Sequence, residues 1–244
     1  MKIFDKFAVK QSNQKEMVLN EIECLRQVQG IDGIVQLKMV IQSTKQIGLI
    51  TNLGGRTTLK TFMSENWEEN GRAFKFTTEN QSFERLSFLR KVKQIVCMLS
   101  SSLAESHLRN VYHRDIKLNN ILVECVKGKC SVCLIDFGFA TNTRYGQEYL
   151  YCGTHLFMPP EIHSKKGYNA WAADVWSLGI VFYCLVTGRH PFGDPQTDKD
   201  ELKRLIVNSK VDFPAQNGFP VEEDIQQLIK KMLRKQPERR PSMD

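Results

Sequence analysis

The chain has 244 residues, of which 41% are hydrophobic and 25% are charged. A chain of this length and apolar content can bury a core, which excludes a disordered or fibrous protein. The formal net charge is +7, but the 34 basic residues are spread along the chain, so no nucleic-acid partner is expected.

The first fifty residues predict a small, strand-rich lobe with one helix. Residues 2–10 alternate loosely between polar and apolar side chains, which predicts a strand that ends at Lys10. Residues 16–28 place apolar side chains on one face of a helix. Two short apolar runs, 34–41 and 47–53, then predict two further strands.

Helical patterns dominate the rest of the chain. A polar stretch at 64–82 has no clear period and predicts a loop, and a long amphipathic helix follows at 86–103. Two short strands, 121–124 and 131–135, flank a Lys-Gly-Lys turn. Residues 175–186 are apolar nearly all round, which predicts a helix in the middle of the second lobe, and amphipathic helices follow it.

The cysteines and the apolar runs bear on the compartment. Seven cysteines are scattered among apolar neighbours with no signal sequence before them, which predicts reduced thiols in the cytoplasm or nucleus. No apolar run approaches the roughly 18 residues that a membrane span requires. We therefore expect a soluble protein with no membrane partner.

Two motifs carry the chemistry of the chain. Residues 113–120 read His-Arg-Asp-Ile-Lys-Leu-Asn-Asn, and residues 136–138 read Asp-Phe-Gly. In form and order these resemble the catalytic loop and the magnesium-binding motif of protein kinases. The resemblance implies one α+β kinase domain over 1–244, with a partial strand-rich N-lobe at 1–52 and a helical C-lobe at 53–244.

The resemblance also implies roles for the residues within these motifs. Asp115 would accept the proton of the substrate hydroxyl, and Lys117 would neutralise the phosphoryl group in transfer. Asn120 and Asp136 would hold Mg²⁺. The implied partners are ATP and protein substrates.

A lysine and a glutamate upstream resemble a further pair of the family. Lys10 ends the run Phe-Ala-Val-Lys, which resembles the strand lysine that contacts the α and β phosphates and pairs with a helix glutamate. Glu21 is preferred over Glu23 for that glutamate, because it places Leu25 one turn along on the same side. ATP is then expected between Lys10 and the Asp-Phe-Gly motif.

Two residues at the end of the third predicted strand resemble the nucleotide-contacting edge of the family. Thr51 stands at the gatekeeper position, before a hinge that includes Leu53. Both residues are therefore expected to contact ATP.

Three downstream features extend the resemblance. Gly-Thr at 153–154 and Met-Pro-Pro-Glu at 158–161 resemble the end of an activation segment, in which Glu161 would pair with Arg240. Asp174 would support the backbone of the catalytic loop. The hydroxyl of Thr154 can bridge Asp115 and Lys117, which favours serine or threonine over tyrosine as the acceptor.

Arg114 beside the catalytic aspartate could receive an activation-loop phosphate placed by an upstream kinase. The candidate acceptors are loop hydroxyls between the two ends of the segment: Thr141, Thr143, Tyr145, Tyr149 and Tyr151.

One family feature is missing, because nothing before Lys10 resembles the glycine-rich loop that covers the phosphates. Its absence is expected to weaken nucleotide binding. The favoured interpretation is an active Ser/Thr kinase domain whose start is missing, and the alternative is a non-catalytic pseudokinase that binds partners.

Overall fold

A three-stranded antiparallel sheet forms the N-terminal part of the computed structural model, which describes residues 1–11, 15–67, 81–143, 146–164, 167–214 and 220–243. Its strand order is β1-β3-β2, so β1 lies at one edge. The strands are β1 (Lys2–Asp5), β2 (Leu37–Gln42) and β3 (Gln46–Thr51).

The first predicted strand is shorter than its alternating pattern indicated. It ends at Asp5, and a helix, α1 (Lys6–Gln11), takes the place of its second half. The carboxylate of Asp5 accepts a hydrogen bond of 2.9 Å from the backbone N–H of Ala8, as a helix N-cap does. The prediction of a strand over residues 2–10 is therefore wrong beyond Asp5.

The second helix, α2 (Lys15–Gln27), confirms the helix predicted at 16–28. Val18, Ile22 and Leu25 are buried along one face of it. That face carries Leu25 and the neighbouring Glu21 inward, so α2 brings a carboxylate to the interior of the N-terminal part.

A second three-stranded sheet has the order β4-β5-β6. It consists of β4 (Thr57–Thr58), β5 (Ile121–Val126) and β6 (Lys129–Leu134). The predicted turn joins β5 to β6, with φ of 49° at Lys127 and 79° at Gly128. This hairpin connects the two parts of the chain, because Val35 donates to Leu134 across 3.0 Å.

Cys125 and Cys130 lie opposite one another in this hairpin and form a disulfide, with their Cα atoms 4.0 Å apart. The prediction that every cysteine is a reduced thiol is wrong at this pair. Strand register places the two side chains side by side, which spacing along the sequence did not indicate. The other five cysteines, 24, 97, 133, 152 and 184, are free.

The remainder of the described chain is mostly helical. The polar stretch at 64–82, predicted as a loop, begins in the end of one helix and finishes in the start of the next. Its middle, residues 68–80, lies outside the described residues. The helices are α3 (Leu59–Asn66), α4 (Gln81–Leu108), α5 (Ala170–Thr187), α6 (Lys199–Asn208) and α7 (Glu223–Met232).

The helix α5 lies at the centre of this part, as its apolar sequence predicted. Its 18 residues are long and apolar enough to cross a membrane by length and composition alone, but 94% of them are buried inside the fold. The expectation that no apolar run approaches that length was therefore wrong. Burial on all sides identifies α5 as a core helix.

Candidate active site

A buried carboxylate fixes the backbone of the predicted catalytic loop. Asp174, near the start of α5, is fully buried and accepts hydrogen bonds of 2.8 Å from the backbone N–H groups of His113 and Arg114. The ring of His107 on α4 lies 3.0 Å from the same carboxylate. This confirms the expected support of the loop by Asp174, and it anchors the loop to two helices.

Asp115 is the centre of a network of four side chains. The Thr154 hydroxyl donates to Asp115 Oδ1 at 2.8 Å, and Lys117 Nζ donates to Asp115 Oδ2 at 2.6 Å and to Thr154 Oγ1 at 2.9 Å. Asn120 Nδ2 also donates to Asp115 Oδ2, at 3.0 Å. The structure thus brings together four of the residues that the motifs indicated, and the predicted bridging by Thr154 is confirmed.

His113 connects this loop to the Asp-Phe-Gly segment. Its Nδ1 accepts from the backbone N–H of Asp115 at 3.2 Å, which leaves Nε2–H as the donor to the Ile135 carbonyl at 3.0 Å. The ring also packs edge-on against Phe137, with the ring centroids 4.8 Å apart. The ring therefore holds the residue before Asp136 next to the catalytic loop.

The lysine that reaches this site is Lys2. Its ammonium nitrogen lies 2.8 and 2.9 Å from the two carboxylate oxygens of Glu21 and 2.9 Å from Asp136 Oδ1. Glu21 is buried, whereas Lys2 and Asp136 are partly exposed. One cation thus joins β1, α2 and the Asp-Phe-Gly segment, and the choice of Glu21 over Glu23 agrees with this geometry.

The assignment of Lys10 as the strand lysine is wrong. Lys10 is exposed in the last turn of α1, because the cap at Asp5 starts a helix before the Phe-Ala-Val-Lys run. Sequence reasoning missed Lys2, since a strand of four residues has too few apolar neighbours to show a period. The signal that could have found it is the Asp5 cap, which ends the strand early.

The charges around Lys2 shift its own pKa and that of Asp136. Burial lowers the pKa of Lys2, but the hydrogen bonds and charges of Glu21 and Asp136 outweigh burial and raise it overall. Burial raises the pKa of Asp136, but the hydrogen bond and the charge of Lys2 outweigh that effect and lower it overall. At neutral pH, Lys2 is therefore a cation and Asp136 an anion.

A cavity of about 420 Å³ adjoins this ion pair. Lys2, Glu21, Asp136 and Phe137 line it, together with residues from the end of β3. The predicted nucleotide-contacting residues Thr51 and Leu53 are among its lining residues. The volume falls within the range of small-molecule sites, and the charged groups lie at one side of an otherwise largely apolar cavity.

Asn120 and Asp136 have the chemistry that Mg²⁺ requires. Asn120 uses its amide nitrogen for Asp115, so its amide oxygen is the atom suited to a metal, and Asp136 offers a carboxylate. The backbone N–H of Ile135, the residue before Asp136, donates to the Asn120 carbonyl at 2.9 Å. This bond keeps Asn120 and Asp136 close together. Among the described residues, no group of three His, Cys, Asp or Glu side chains could hold a metal unaided. The two residues therefore fit an ion that takes its other ligands from phosphate and water.

Two residues of the site have strained backbones. Arg114 has a φ of 62° and Asp136 a φ of 64°, both in the left-handed region that non-glycine residues rarely adopt. The Arg114 N–H donates to the Asp174 carboxylate and the Lys2 ammonium donates to the Asp136 carboxylate, and these two bonds hold the conformations. Such strain is typical of functional sites.

The expected ion pair at the end of the segment is present. Arg240 Nη1 and Nη2 lie 2.6 and 2.7 Å from the two carboxylate oxygens of Glu161. Arg240 also donates to the Ala172 carbonyl at 2.8 Å and lies over the ring of Trp176. Arg240 therefore attaches the end of the activation segment, at Glu161, to α5.

Comparison with known proteins agrees with this arrangement. The family model of the protein kinase domain matches residues 1–244. The chain is 30% identical over 234 residues to the serine/threonine-protein kinase DCLK2 of Rattus norvegicus, which covers 96% of this chain and 28% of that protein. It is 38% identical over 146 residues to the CBL-interacting protein kinase 25 of Oryza sativa subsp. japonica, which covers 58% of this chain and 27% of that protein. The matches thus span little more than a quarter of either relative.

Proposed function

Because the chain belongs to the protein kinase family, we propose that it is catalytically active and transfers the γ-phosphoryl group of ATP to serine and threonine hydroxyls of proteins. The observation that carries the proposal is the network around Asp115, in which Lys117 and Thr154 each contact a different carboxylate oxygen. A carboxylate oriented in this way can accept a proton from a substrate hydroxyl.

The proposed reaction moves one phosphoryl group and one proton. The hydroxyl oxygen of the substrate forms a bond to the γ-phosphorus, the bond from that phosphorus to the β–γ bridging oxygen breaks, and ADP leaves. Asp115 takes the hydroxyl proton, and the Lys117 ammonium stabilises the negative charge on the group in transfer. Positioning and charge supply most of the catalysis.

Nucleotide binding is assigned to the cavity beside Lys2. Lys2, held by Glu21, would contact the phosphates, while Thr51 and Leu53 would contact the base from the cavity wall. Asn120 and Asp136 would hold Mg²⁺, which neutralises phosphate charge when it is bound. Lys2 thus takes the role first assigned to Lys10.

A serine or threonine acceptor is supported by two residues. Lys117 lies two positions after Asp115, and its ammonium nitrogen contacts Thr154 at 2.9 Å. The relatives reported above include a protein named as a serine/threonine kinase. Phosphoamino-acid analysis of a labelled substrate would show phosphoserine or phosphothreonine, whereas phosphotyrosine alone would contradict this acceptor class.

Phosphate transfer from radiolabelled ATP to dephosphorylated casein tests the activity. The full chain is compared with Asp136→Ala, in the presence of Mg²⁺ and after its removal with EDTA. We expect transfer by the full chain only with Mg²⁺, and background transfer by the variant. Equal transfer by the two proteins would contradict the proposal and favour the pseudokinase.

Compartment and further partners stay predictions. We propose a cytoplasmic or nuclear protein, because five of its seven cysteines are free thiols. We propose no nucleic-acid partner, since two cations of the basic stretch at 230–240 serve the fold: Arg240 pairs with Glu161, and Lys235 lies over the ring of Phe192. We propose no membrane partner, since α5 is buried.

A further inference from the structure

We infer that Glu148 supplies, without phosphorylation, the negative charge that holds the segment after Asp136 against the catalytic loop. Glu148 is then a positioning residue for the proposed phosphoryl transfer, and the inference rests on that proposed function. It bears on regulation, because the sequence indicated that an added phosphate would serve Arg114.

Both carboxylate oxygens of Glu148 are already bound. Arg114 Nη1 lies 2.8 Å from Glu148 Oε2, and the Thr141 hydroxyl donates to Glu148 Oε1 at 2.5 Å. The side chains of Arg114 and Glu148 are 6% and 12% exposed, so water screens this ion pair poorly. The pair therefore joins three stretches of chain: the catalytic loop, the residues just after Asp136, and the segment that leads to Thr154.

The position of Arg114 makes the pair relevant to catalysis. Its backbone is fixed by Asp174, its Nε donates to the Phe139 carbonyl at 2.7 Å, and it directly precedes Asp115. Glu148 therefore acts on the catalytic aspartate through one neighbouring residue.

Glu148 is also held in place by its backbone, which is part of a short pair of strands. Strand β7 (Gln147–Glu148) pairs with β8 (Tyr168–Asn169), so Glu148 lies opposite Tyr168. The Tyr168 hydroxyl accepts from Arg114 Nη1 at 3.3 Å and donates to the Leu150 carbonyl at 3.1 Å. The segment is thus ordered around Arg114 by groups that the chain itself provides.

Thr141, one of the expected phosphate acceptors, is unsuited to that role. It is 6% exposed, its hydroxyl is bound to Glu148, and its backbone N–H and carbonyl both pair with Tyr112 at 2.9 Å. A phosphate there would place like charges beside Glu148. Of the other four candidates, Tyr149 and Tyr151 are exposed, the Thr143 hydroxyl oxygen is buried, and Tyr145 lies outside the described residues.

The test uses the full chain after phosphatase treatment, with removal of phosphate verified by intact mass. We compare the wild type, Glu148→Gln, which keeps the shape but removes the charge, Glu148→Asp, which restores the charge, and Glu124→Gln. Glu124 forms an exposed ion pair with Arg56 at 3.3 Å and serves as the matched control. Casein phosphorylation gives kcat and KM, and thermal unfolding reports whether each variant is folded.

We expect the phosphate-free wild type and Glu124→Gln to keep the full rate. Glu148→Gln should lose about tenfold in kcat with little change in the KM for ATP, because a charged hydrogen bond is lost next to Asp115. Glu148→Asp should recover part of that loss, which a purely structural role would not predict. If Glu148→Gln does not fold, the rate of the phosphate-free wild type decides the question.

Two results overturn the inference while the proposed function stands: a wild type that loses its activity on phosphatase treatment, or a Glu148→Gln variant as fast as the wild type. Transfer by the untreated wild type equal to that of Asp136→Ala would instead overturn the proposed function, and the inference with it.

Discussion

Arg240 and Glu161 lie 79 positions apart in the chain and meet in two hydrogen bonds of 2.6 and 2.7 Å. The Arg240 side chain has no exposure to solvent. The removal of one partner from a buried ion pair leaves an uncompensated charge in the interior. This relationship makes the end of the segment sensitive to a single substitution.

Arg240→Ala should lower the free energy of unfolding by about 3–5 kcal/mol, because the buried ion pair with Glu161 would be lost. Urea denaturation followed by circular dichroism measures the change. Arg204→Ala is the matched control, since Arg204 pairs with Glu201 on the exposed face of α6 and its loss should have little effect. Equal destabilisation by the two variants would contradict the prediction.

The two candidate lysines give opposite expectations. Lys2→Ala should lower kcat/KM by about 10²-fold, because it removes a cation from the phosphate side of the cavity. Lys10→Ala should leave the activity unchanged, since Lys10 is exposed on α1. Steady-state phosphorylation of casein measures both, and a loss confined to Lys10→Ala would restore the original assignment.

The hydroxyl of Thr154 should matter for turnover. Thr154→Ala removes the bonds to Asp115 and Lys117, and kcat should fall about tenfold, the cost of one or two hydrogen bonds. Thr154→Ser keeps the hydroxyl and should keep most of the rate. A serine variant as slow as the alanine variant would show that the methyl group, not the hydroxyl, is what counts.

A buried histidine should make stability fall in mild acid. Burial lowers the pKa of His190 to about 4, from an ordinary value of 6.5. Its Nδ1 accepts from the Phe192 N–H, and its Nε2 lies 2.7 Å from the Leu156 carbonyl, so the folded state holds the neutral ring. Between pH 6.5 and about 4, His190 is protonated in the unfolded chain but stays neutral in the folded chain.

The free energy of unfolding is therefore unaffected by the titration of His190 above pH 6.5. It decreases as the pH falls from 6.5 towards about 4, and the decrease levels off below that pH. The total amounts to about 3 kcal/mol. Urea unfolding at several pH values measures it, with His190→Gln as the comparison because glutamine does not titrate. A variant with the same pH dependence as the wild type would assign the effect to other groups.

The motifs made much of the catalytic loop predictable. The loop residues Asp115, Lys117 and Asn120 follow one another closely, so local spacing alone determines their neighbourhood. Thr154 and Arg240 were placed through the same resemblance, and both predicted contacts are present.

Contacts set by register or by a short element were not predictable in this way. The Cys125–Cys130 bond depends on which residues lie opposite in a hairpin, and Glu148 reaches Arg114 only because β7 pairs with β8. The error at Lys10 has a similar origin. The run Phe-Ala-Val-Lys matches the strand motif of the family, but it lies within α1, because the Asp5 cap ends the strand before it.

The left-handed backbone at Asp136 carries a consequence for any attempt to improve this protein. That conformation costs a non-glycine residue about 1–2 kcal/mol, which the rest of the fold must offset. Glycine would remove the cost together with the carboxylate. Glycine at position 136 would therefore relieve the backbone and lose the ion pair with Lys2 and the carboxylate assigned to Mg²⁺, so a variant selected there for heat resistance would be inactive.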